Sequence, residues 1–213
     1  MANNPWIFIT GGVRSGKSQF AERCAKALKK QYESLVYVAT GVAFDEEMTR
    51  RIAHHKRLRE GEGWLTIERP TDFYLLREHI PERSVILWDC VTTWLGNECY
   101  EVSTDGMPAW QNEDLLQNRI NQMFIELQML HDAGHTLIVV SNEVLDAGIP
   151  NNEETYVYMK NLGRIHCEMV KRADVAIEMT YKATTFWKGA TIFEKYMDRD
   201  WTRFSIFHDR TDS

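Results

Sequence analysis

The chain has 213 residues, 25 Lys+Arg against 31 Asp+Glu, and a formal net charge of −6. With 44% hydrophobic and 26% charged residues there is enough apolar material for a core, which excludes intrinsic disorder. The acidic balance argues against a coat for nucleic acid or an anionic membrane. No run approaches the roughly 18 apolar residues of a membrane span. The start Met-Ala-Asn-Asn-Pro shows no positive region followed by a long apolar one, so no secretory signal is expected. The four cysteines, Cys24, Cys90, Cys99 and Cys167, form no Cys-x-x-Cys pair. They fit free thiols in a reducing, cytoplasmic setting better than a zinc site.

Short apolar runs alternate with helix-period segments, which predicts an α/β fold with a mainly parallel sheet. In chain order the strands are Trp6–Thr10, Leu35–Ala39, Val85–Asp89, Thr136–Ser141 and Val175–Met179. Four of them are nearly continuous apolar runs, as parallel strands covered on both faces require. Helices are predicted from Lys17 to about Tyr32, from Asp45, from Asn112 to about Ala133 with Gly134 as its left-handed stop, and from Glu154. Glu101–Trp110 is polar, contains Gly106 and Pro108, and is predicted as a surface loop. Residues 1–182 form one nucleotide-binding domain in this reading. Residues 183–213 form an aromatic-rich extension holding Phe186, Trp187, Phe193, Tyr196, Trp201, Phe204 and Phe207. So many aromatics would be costly in water. They are expected to pack on the same domain or on a neighbouring subunit, with a ligand-stacking platform as the alternative.

Gly11-Gly12-Val13-Arg14-Ser15-Gly16-Lys17-Ser18 fits the phosphate-loop pattern G-x-x-x-x-G-K-[ST]. Gly11 and Gly16 allow backbone angles that turn successive N–H groups toward a phosphate. Lys17 supplies a point charge for the β- and γ-phosphates, Ser18 a hydroxyl for Mg²⁺, and the following helix its positive N-terminal end. A strand before the loop and a helix after it complete the expected context. The chain is therefore expected to bind a nucleoside triphosphate.

A second acid is expected at the end of a neighbouring strand, where it would orient Mg²⁺. Asp89 closes its strand and fits that role, or it caps the turn through Thr92 or Thr93. Glu143, just past the fourth strand, is a second carboxylate on the edge where open α/β sheets bind ligands, or an exposed loop acid. The segment from Asp45 to Arg59 is unusually basic for an acidic protein. Met48, Ile52 and His55 share one helical face, so His55 reads as a packed histidine. His54 lies off that face near Arg51, where it could attack phosphorus or simply belong to a solvated basic face.

Taken together, these blocks resemble the adenosylcobinamide kinase/adenosylcobinamide-phosphate guanylyltransferase family. The resemblance is carried by the phosphate loop, Tyr37-Val38-Ala39-Thr40, Asp45-Glu46-Glu47-Met48, and Arg51-Ile52-Ala53-His54-His55-Lys56. It continues through Trp64, Thr66 and Glu68, Asp89-Cys90-Val91-Thr92-Thr93-Trp94-Leu95, and Val140-Ser141-Asn142-Glu143-Val144. It implies a RecA-like P-loop fold in a cytoplasmic, usually homo-oligomeric enzyme with no nucleic-acid partner. The substrates would be ATP, GTP and a corrinoid, adenosylcobinamide, with Mg²⁺. Such an enzyme phosphorylates the aminopropanol hydroxyl and then transfers GMP to that phosphate. His54 matches the family's guanylylated histidine and Asp89 its strand-end acid. Arg51 and Glu68 join Gly11, Gly12, Val13, Arg14, Ser15, Gly16, Lys17 and Ser18 as nucleotide-binding residues.

Two stretches depart from the family pattern, and the C-terminal aromatic tail runs past the family's normal end. Leu145-Asp146-Ala147-Gly148-Ile149-Pro150 lacks the usual early glycine turn. Gly163-Arg164-Ile165-His166-Cys167 replaces the usual Asn-Gln amide pair. Both departures fall toward the acceptor side, so two other readings stay open. One is a P-loop kinase retaining only phosphoryl transfer, to this or another alcohol; the other is a non-catalytic nucleotide-binding module.

Overall fold

The structure, a computed structural model, describes residues 4–29, 34–42, 46, 49, 50, 53, 57, 59, 61–103, 106–145, 148, 150–197 and, as backbone, 207–209. The strands are β1 (Trp6–Gly11), β2 (Ser34–Ala39), β3 (Trp64–Glu68), β4 (Ser84–Asp89), β5 (Thr136–Val140), β6 (Val175–Thr180), β7 (Ala183–Lys188) and β8 (Phe207–Asp209). The helices are α1 (Lys17–Leu28), α2 (Val91–Tyr100), α3 (Glu113–Asp132), α4 (Glu153–Arg172) and α5 (Ala190–Tyr196). All strands join one sheet in the order β3-β2-β4-β5-β1-β6-β7-β8. From β3 to β6 every pairing is parallel. β7 runs antiparallel to β6, and β8 lies parallel to β7.

Side-chain alternation along the strands explains both faces of the core. Trp6 and Phe8 of β1 point to one side with Val36, Val38, Ile86, Trp88, Leu137 and Val139, beneath α2, α3 and α4. Ile7 and Ile9 point to the other with Leu35, Val85, Leu87, Ile138, Val140 and Ile177, beneath α1 and α5. A strand buried on both faces has no polar row, so the sequence shows a continuous apolar run.

The five expected strands are present, and three further strands and two helices were not foreseen. β3 is a short edge strand whose residues are half-buried or exposed, so it lacks the apolar run that marked the others. α2 is buried at Val91, Thr92, Trp94, Leu95, Glu98 and Cys99; with so little polar face it shows no amphipathic period. The helix expected to reach about Tyr32 ends at Leu28, with Lys29 as its C-cap. The helix expected to start at Glu154 begins at Glu153, where the Asn152 side chain accepts from the Thr155 amide at 2.7 Å. Asn112 caps α3 in the same way, through the Leu115 amide. Within the expected basic helix, Glu46, Thr49, Arg50, Ala53, Arg57 and Arg59 are helical.

Beyond residue 182, Phe186 and Phe193 are buried. Phe193 stacks on Phe20 of α1 at 6.1 Å and meets Phe186 at 5.2 Å. Trp187 is 50% exposed and donates from Nε1 to Glu178 at 2.9 Å. Trp201 and Phe204 lie outside the described residues, as does the Phe207 side chain.

Candidate active site

The loop between β1 and α1 is built for an anion. Gly11 has φ 147, Arg14 φ 62 and Gly16 φ 94, left-handed angles that fold the chain into a concave turn lined by amides. A Cβ on Gly11 would lie 2.2 Å from the Met179 carbonyl oxygen of β6, so no side chain fits there. The Lys182 amide donates to the Ser15 carbonyl at 2.9 Å, and the Glu143 amide to the Gly11 carbonyl at 2.9 Å. The strands on either side of β1 thus hold both ends of the loop. Lys17 is buried, and its Nζ donates to the Gly12 carbonyl at 3.0 Å. Burial pulls its pKa down, while Asp89 and Cys90 oppose that shift. Among the described residues the buried Ser15 hydroxyl has no hydrogen-bond partner, an orphan that a phosphate oxygen in this cradle would satisfy.

Asp89 ends β4 and its Oδ2 accepts from the Tyr37 hydroxyl of β2 at 3.2 Å. Tyr37 is in turn covered by Arg59, whose guanidinium carbon sits 3.5 Å from the ring centroid. Arg59 is buried, with Nη1 3.7 Å from Glu22 of α1. Burial raises the pKa of Glu22, against the pull of Arg59. Asp89 takes no part in the cap expected through Thr92 or Thr93. That turn is held instead by the buried Cys90, whose Sγ meets Thr92 Oγ1 at 2.9 Å and Thr93 Oγ1 at 3.2 Å.

Strand order corrects one expectation. The strand adjoining β1 on the Asp89 side is β5, not β4, so Asp89 stands two strands from the phosphate-loop strand. The tip of β5, with Ser141, Asn142 and Glu143, lies between them. Asn142 donates to Thr92 Oγ1 at 2.8 Å. Glu143 Oε1 accepts from the Leu145 amide at 2.6 Å, and its Oε2 lies 3.8 Å from His166 Nδ1 of α4. The other ring nitrogen of His166 is 2.7 Å from Ser141 Oγ. Sequence reasoning placed Glu143 on this edge; it marked His166 only as a departure and gave Tyr37, Arg59 and Ser141 no role. The missing signal is non-local, because nothing in the chain order announces which strands are neighbours.

Register extends the row across the sheet: Glu68, Ala39, Asp89, Val140 and Ile9 are successive partners. Four strand spacings separate Glu68 from β1, about 19 Å. The exposed Glu68 is therefore not beside the phosphate loop. His54, Arg51 and His55 lie outside the described residues, as do Asp146, Ala147 and Ile149 of the altered loop. Among the described residues, no group of three or more His, Cys, Asp and Glu could hold a metal ion. The hydroxyl of Ser18 and the carboxylate of Asp89 are hard oxygen donors of the kind Mg²⁺ takes when phosphate oxygens complete its shell.

Residues 7–182 match the family model described as cobinamide kinase / cobinamide phosphate guanyltransferase. The chain belongs to this family. It is 31% identical over 173 residues to the bifunctional adenosylcobalamin biosynthesis protein CobU of Escherichia coli (strain K12), covering 79% of this chain and 91% of that protein. It is 32% identical over 167 residues to the corresponding CobP of Pseudomonas aeruginosa, covering 78% and 87%. Among solved structures, the flagellar accessory protein FlaH of Methanocaldococcus jannaschii aligns with a TM-score of 0.44 at 18% identity, over 86% of this chain and 78% of that one. A KaiC-like protein of Pyrococcus horikoshii aligns at 0.44 and 13%, also over 86% and 78%. The family match spans the phosphate loop, Asp89 and the β5 tip, and stops where β7 begins. Among the described residues, no helix is long and apolar enough to cross a membrane.

Proposed function

We propose that this chain phosphorylates adenosylcobinamide with ATP or GTP and then transfers GMP from GTP to the product, giving adenosylcobinamide-GDP. The observation that carries this reading is the family match over residues 7–182, joined to a phosphate loop whose Lys17, Ser15 hydroxyl and positive-φ glycines are set to receive a triphosphate. In the phosphoryl step, loop amides and Lys17 bind and orient the β- and γ-phosphates and stabilise charge as it develops. Ser18 and Asp89 would hold Mg²⁺, which supplies further charge neutralisation on the phosphate oxygens.

For the guanylyl step we assign His54 as the nucleophile. Its neutral imidazole attacks the α-phosphorus of GTP, pyrophosphate leaves, and GMP passes to the corrinoid phosphate. Arg51 neutralises charge on that phosphate, and Glu68, far along the sheet edge, is assigned to the nucleoside end of a bound nucleotide. The proposed setting is a cytoplasmic homo-oligomer, with residues 183–213 as an extension of the 1–182 domain.

The deciding experiment incubates the protein with adenosylcobinamide, GTP and Mg²⁺, and separates the phosphate and GDP products. Both products are expected. With α-labelled GTP alone, an acid-labile, base-stable adduct should form and vanish in His54→Ala. A protein that makes the phosphate but never the adduct would be a kinase only, and one that makes neither product overturns the reading.

A further inference from the structure

We propose that Glu143 is the base that takes the proton of the acceptor hydroxyl during phosphoryl transfer, held by the Leu145 amide and backed by the His166–Ser141 pair. The assignment rests on the kinase reading above and extends it to a residue outside the phosphate loop and the strand-end acid.

Position is the first argument. Glu143 follows β5, the strand between β1 and β4, and its amide is bonded to the carbonyl of Gly11, the first residue of the phosphate loop. A γ-phosphate in the loop would therefore lie next to the β5 tip, with Asp89 one strand beyond. Asp89 is engaged by the Tyr37 hydroxyl and lies within electrostatic reach of Lys17. Glu143 instead keeps 28% of its side chain exposed at this edge, within reach of an incoming alcohol.

The support behind it is the second argument. Ser141, His166 and Glu143 stand in the order of a serine-histidine-acid relay, but only the 2.7 Å link from Ser141 to the ring is a hydrogen bond, the ring and the carboxylate being 3.8 Å apart. Ser141 has no exposed surface, so no substrate can reach its hydroxyl. The roles are reversed. With Ser141 donating to Nε2, the proton of the neutral ring sits on Nδ1, on the side of the Glu143 carboxylate, whose Oε2 at 3.8 Å is beyond hydrogen-bond length and feels the ring only as a dipole. The ring rests against Phe8 at 5.5 Å, and burial pushes its pKa down to about 4, so it stays neutral and does not lock the carboxylate in a strong ion pair. His166 is thus a positioning residue. The Leu145 amide holds the other carboxylate oxygen.

The proposed step balances without any added reagent. The acceptor oxygen bonds to the γ-phosphorus, and the bond from that phosphorus to the β–γ bridging oxygen breaks, its electron pair leaving with the nucleoside diphosphate. The hydroxyl proton passes to Glu143 and from there to solvent.

Glu143→Gln tests this, because the amide oxygen can still accept from Leu145 while the base is lost. Phosphorylation of adenosylcobinamide by ATP should lose about 100-fold in kcat, with KM for ATP changed by less than about threefold. GMP transfer from GTP to supplied adenosylcobinamide phosphate, measured on the same preparation, should fall at least about 30-fold less than phosphorylation. Glu143→Asp, which keeps a carboxylate, should retain more kcat than Glu143→Gln. His166→Phe, which keeps the ring against Phe8, should lower the kinase kcat about five- to tenfold and spare GMP transfer. Equal loss of both steps in Glu143→Gln, a kinase kcat within about threefold of wild type, or Gln outperforming Asp would each overturn the assignment. The wild-type protein is assayed first, and its failure to phosphorylate adenosylcobinamide would strike the functional reading instead.

Discussion

The Tyr37 hydroxyl donates to Asp89 Oδ2 at 3.2 Å, a diagonal contact between neighbouring parallel strands in which Tyr37 is level with Leu87 and Ala39 with Asp89. Both side chains stand on the face covered by α1, because they are two residues apart in register. Arg59 caps the tyrosine ring from above and reaches Glu22 of α1. One buried chain of contacts therefore joins the strand-end acid, the phosphate-loop helix and the end of the basic segment five residues beyond His54. Asp89 is thus oriented by side chains outside the phosphate loop.

Tyr37→Phe should separate that orienting role from packing. The ring remains beneath Arg59 and only the donor to Asp89 is lost. A hydrogen bond to a charged group is worth about 1.5–3 kcal/mol, so Mg²⁺ titrations of the phosphorylation rate should show half-saturation raised about ten- to hundredfold. An unchanged Mg²⁺ curve would mean that Asp89 is held without its help.

Arg59 supports the same group of contacts through charge. Among the described residues its Nε and Nη1 have no hydrogen-bond partner, its ion pair to Glu22 spans 3.7 Å, and the guanidinium stacks on the Tyr37 ring. Arg59→Met would remove the stronger of the two cationic attractions on the Glu22 carboxylate, leaving that of Lys26, in a site where burial already disfavours the charged form. Urea unfolding at neutral pH should show a loss of about 2–4 kcal/mol. Adding Glu22→Gln to Arg59→Met should recover part of it. Additive losses in the double variant would show that the pair is not coupled.

Much of this site could be read from local sequence, and the limits have physical causes. The phosphate loop announces itself because glycine, lysine and serine at fixed spacing are demanded by backbone geometry over eight consecutive residues. Asp89 is legible because it closes an apolar strand. The neighbourhood of β5 is not legible, since β1 and β5 pair across more than a hundred residues and an apolar run carries no mark of its partner. Ser141 and His166 meet for the same reason, through packing of α4 on the sheet. α2 escaped notice because it is buried on most sides, so the 3.6-residue polar period that exposes α3 and α4 is missing. His54 was reached by helical phase and by resemblance, and its place relative to the loop is given by neither.

The two leading glycines of the loop should behave oppositely. At Gly11, φ is 147 and an added Cβ would meet the Met179 carbonyl oxygen at 2.2 Å, so Gly11→Ala must displace β1 from β6 or the loop from both. Gly12 is open, with nothing within 4 Å of such a Cβ. Gly11→Ala should cost about 3 kcal/mol or more in stability and abolish nucleotide binding. Gly12→Ala should fold within about 1 kcal/mol of wild type. Thermal melts with and without ATP would test both, and equal behaviour of the two variants would refute the crowding argument.

His166 and Glu98 should pull the pH dependence of stability in opposite directions. Burial holds the folded pKa of His166 at about 4, below its ordinary 6.5. As the pH falls below 6.5 the unfolded chain takes a proton that the folded chain refuses, so the stability present above 6.5 is lost progressively down to about 4. His135, lowered by burial on the other side of the molecule, acts in the same sense. Glu98 is buried and raised to about 6, despite Arg119 at 3.1 Å. Here the folded carboxyl takes its proton before the unfolded one, so its contribution grows as the pH falls from 6 toward 4.5. Denaturant unfolding at pH 7 and pH 5 should therefore show His166→Phe losing about 2 kcal/mol less than wild type between the two, and Glu98→Gln losing about 1 kcal/mol more. If all three curves run parallel, neither group keeps in solution the protonation that its burial imposes.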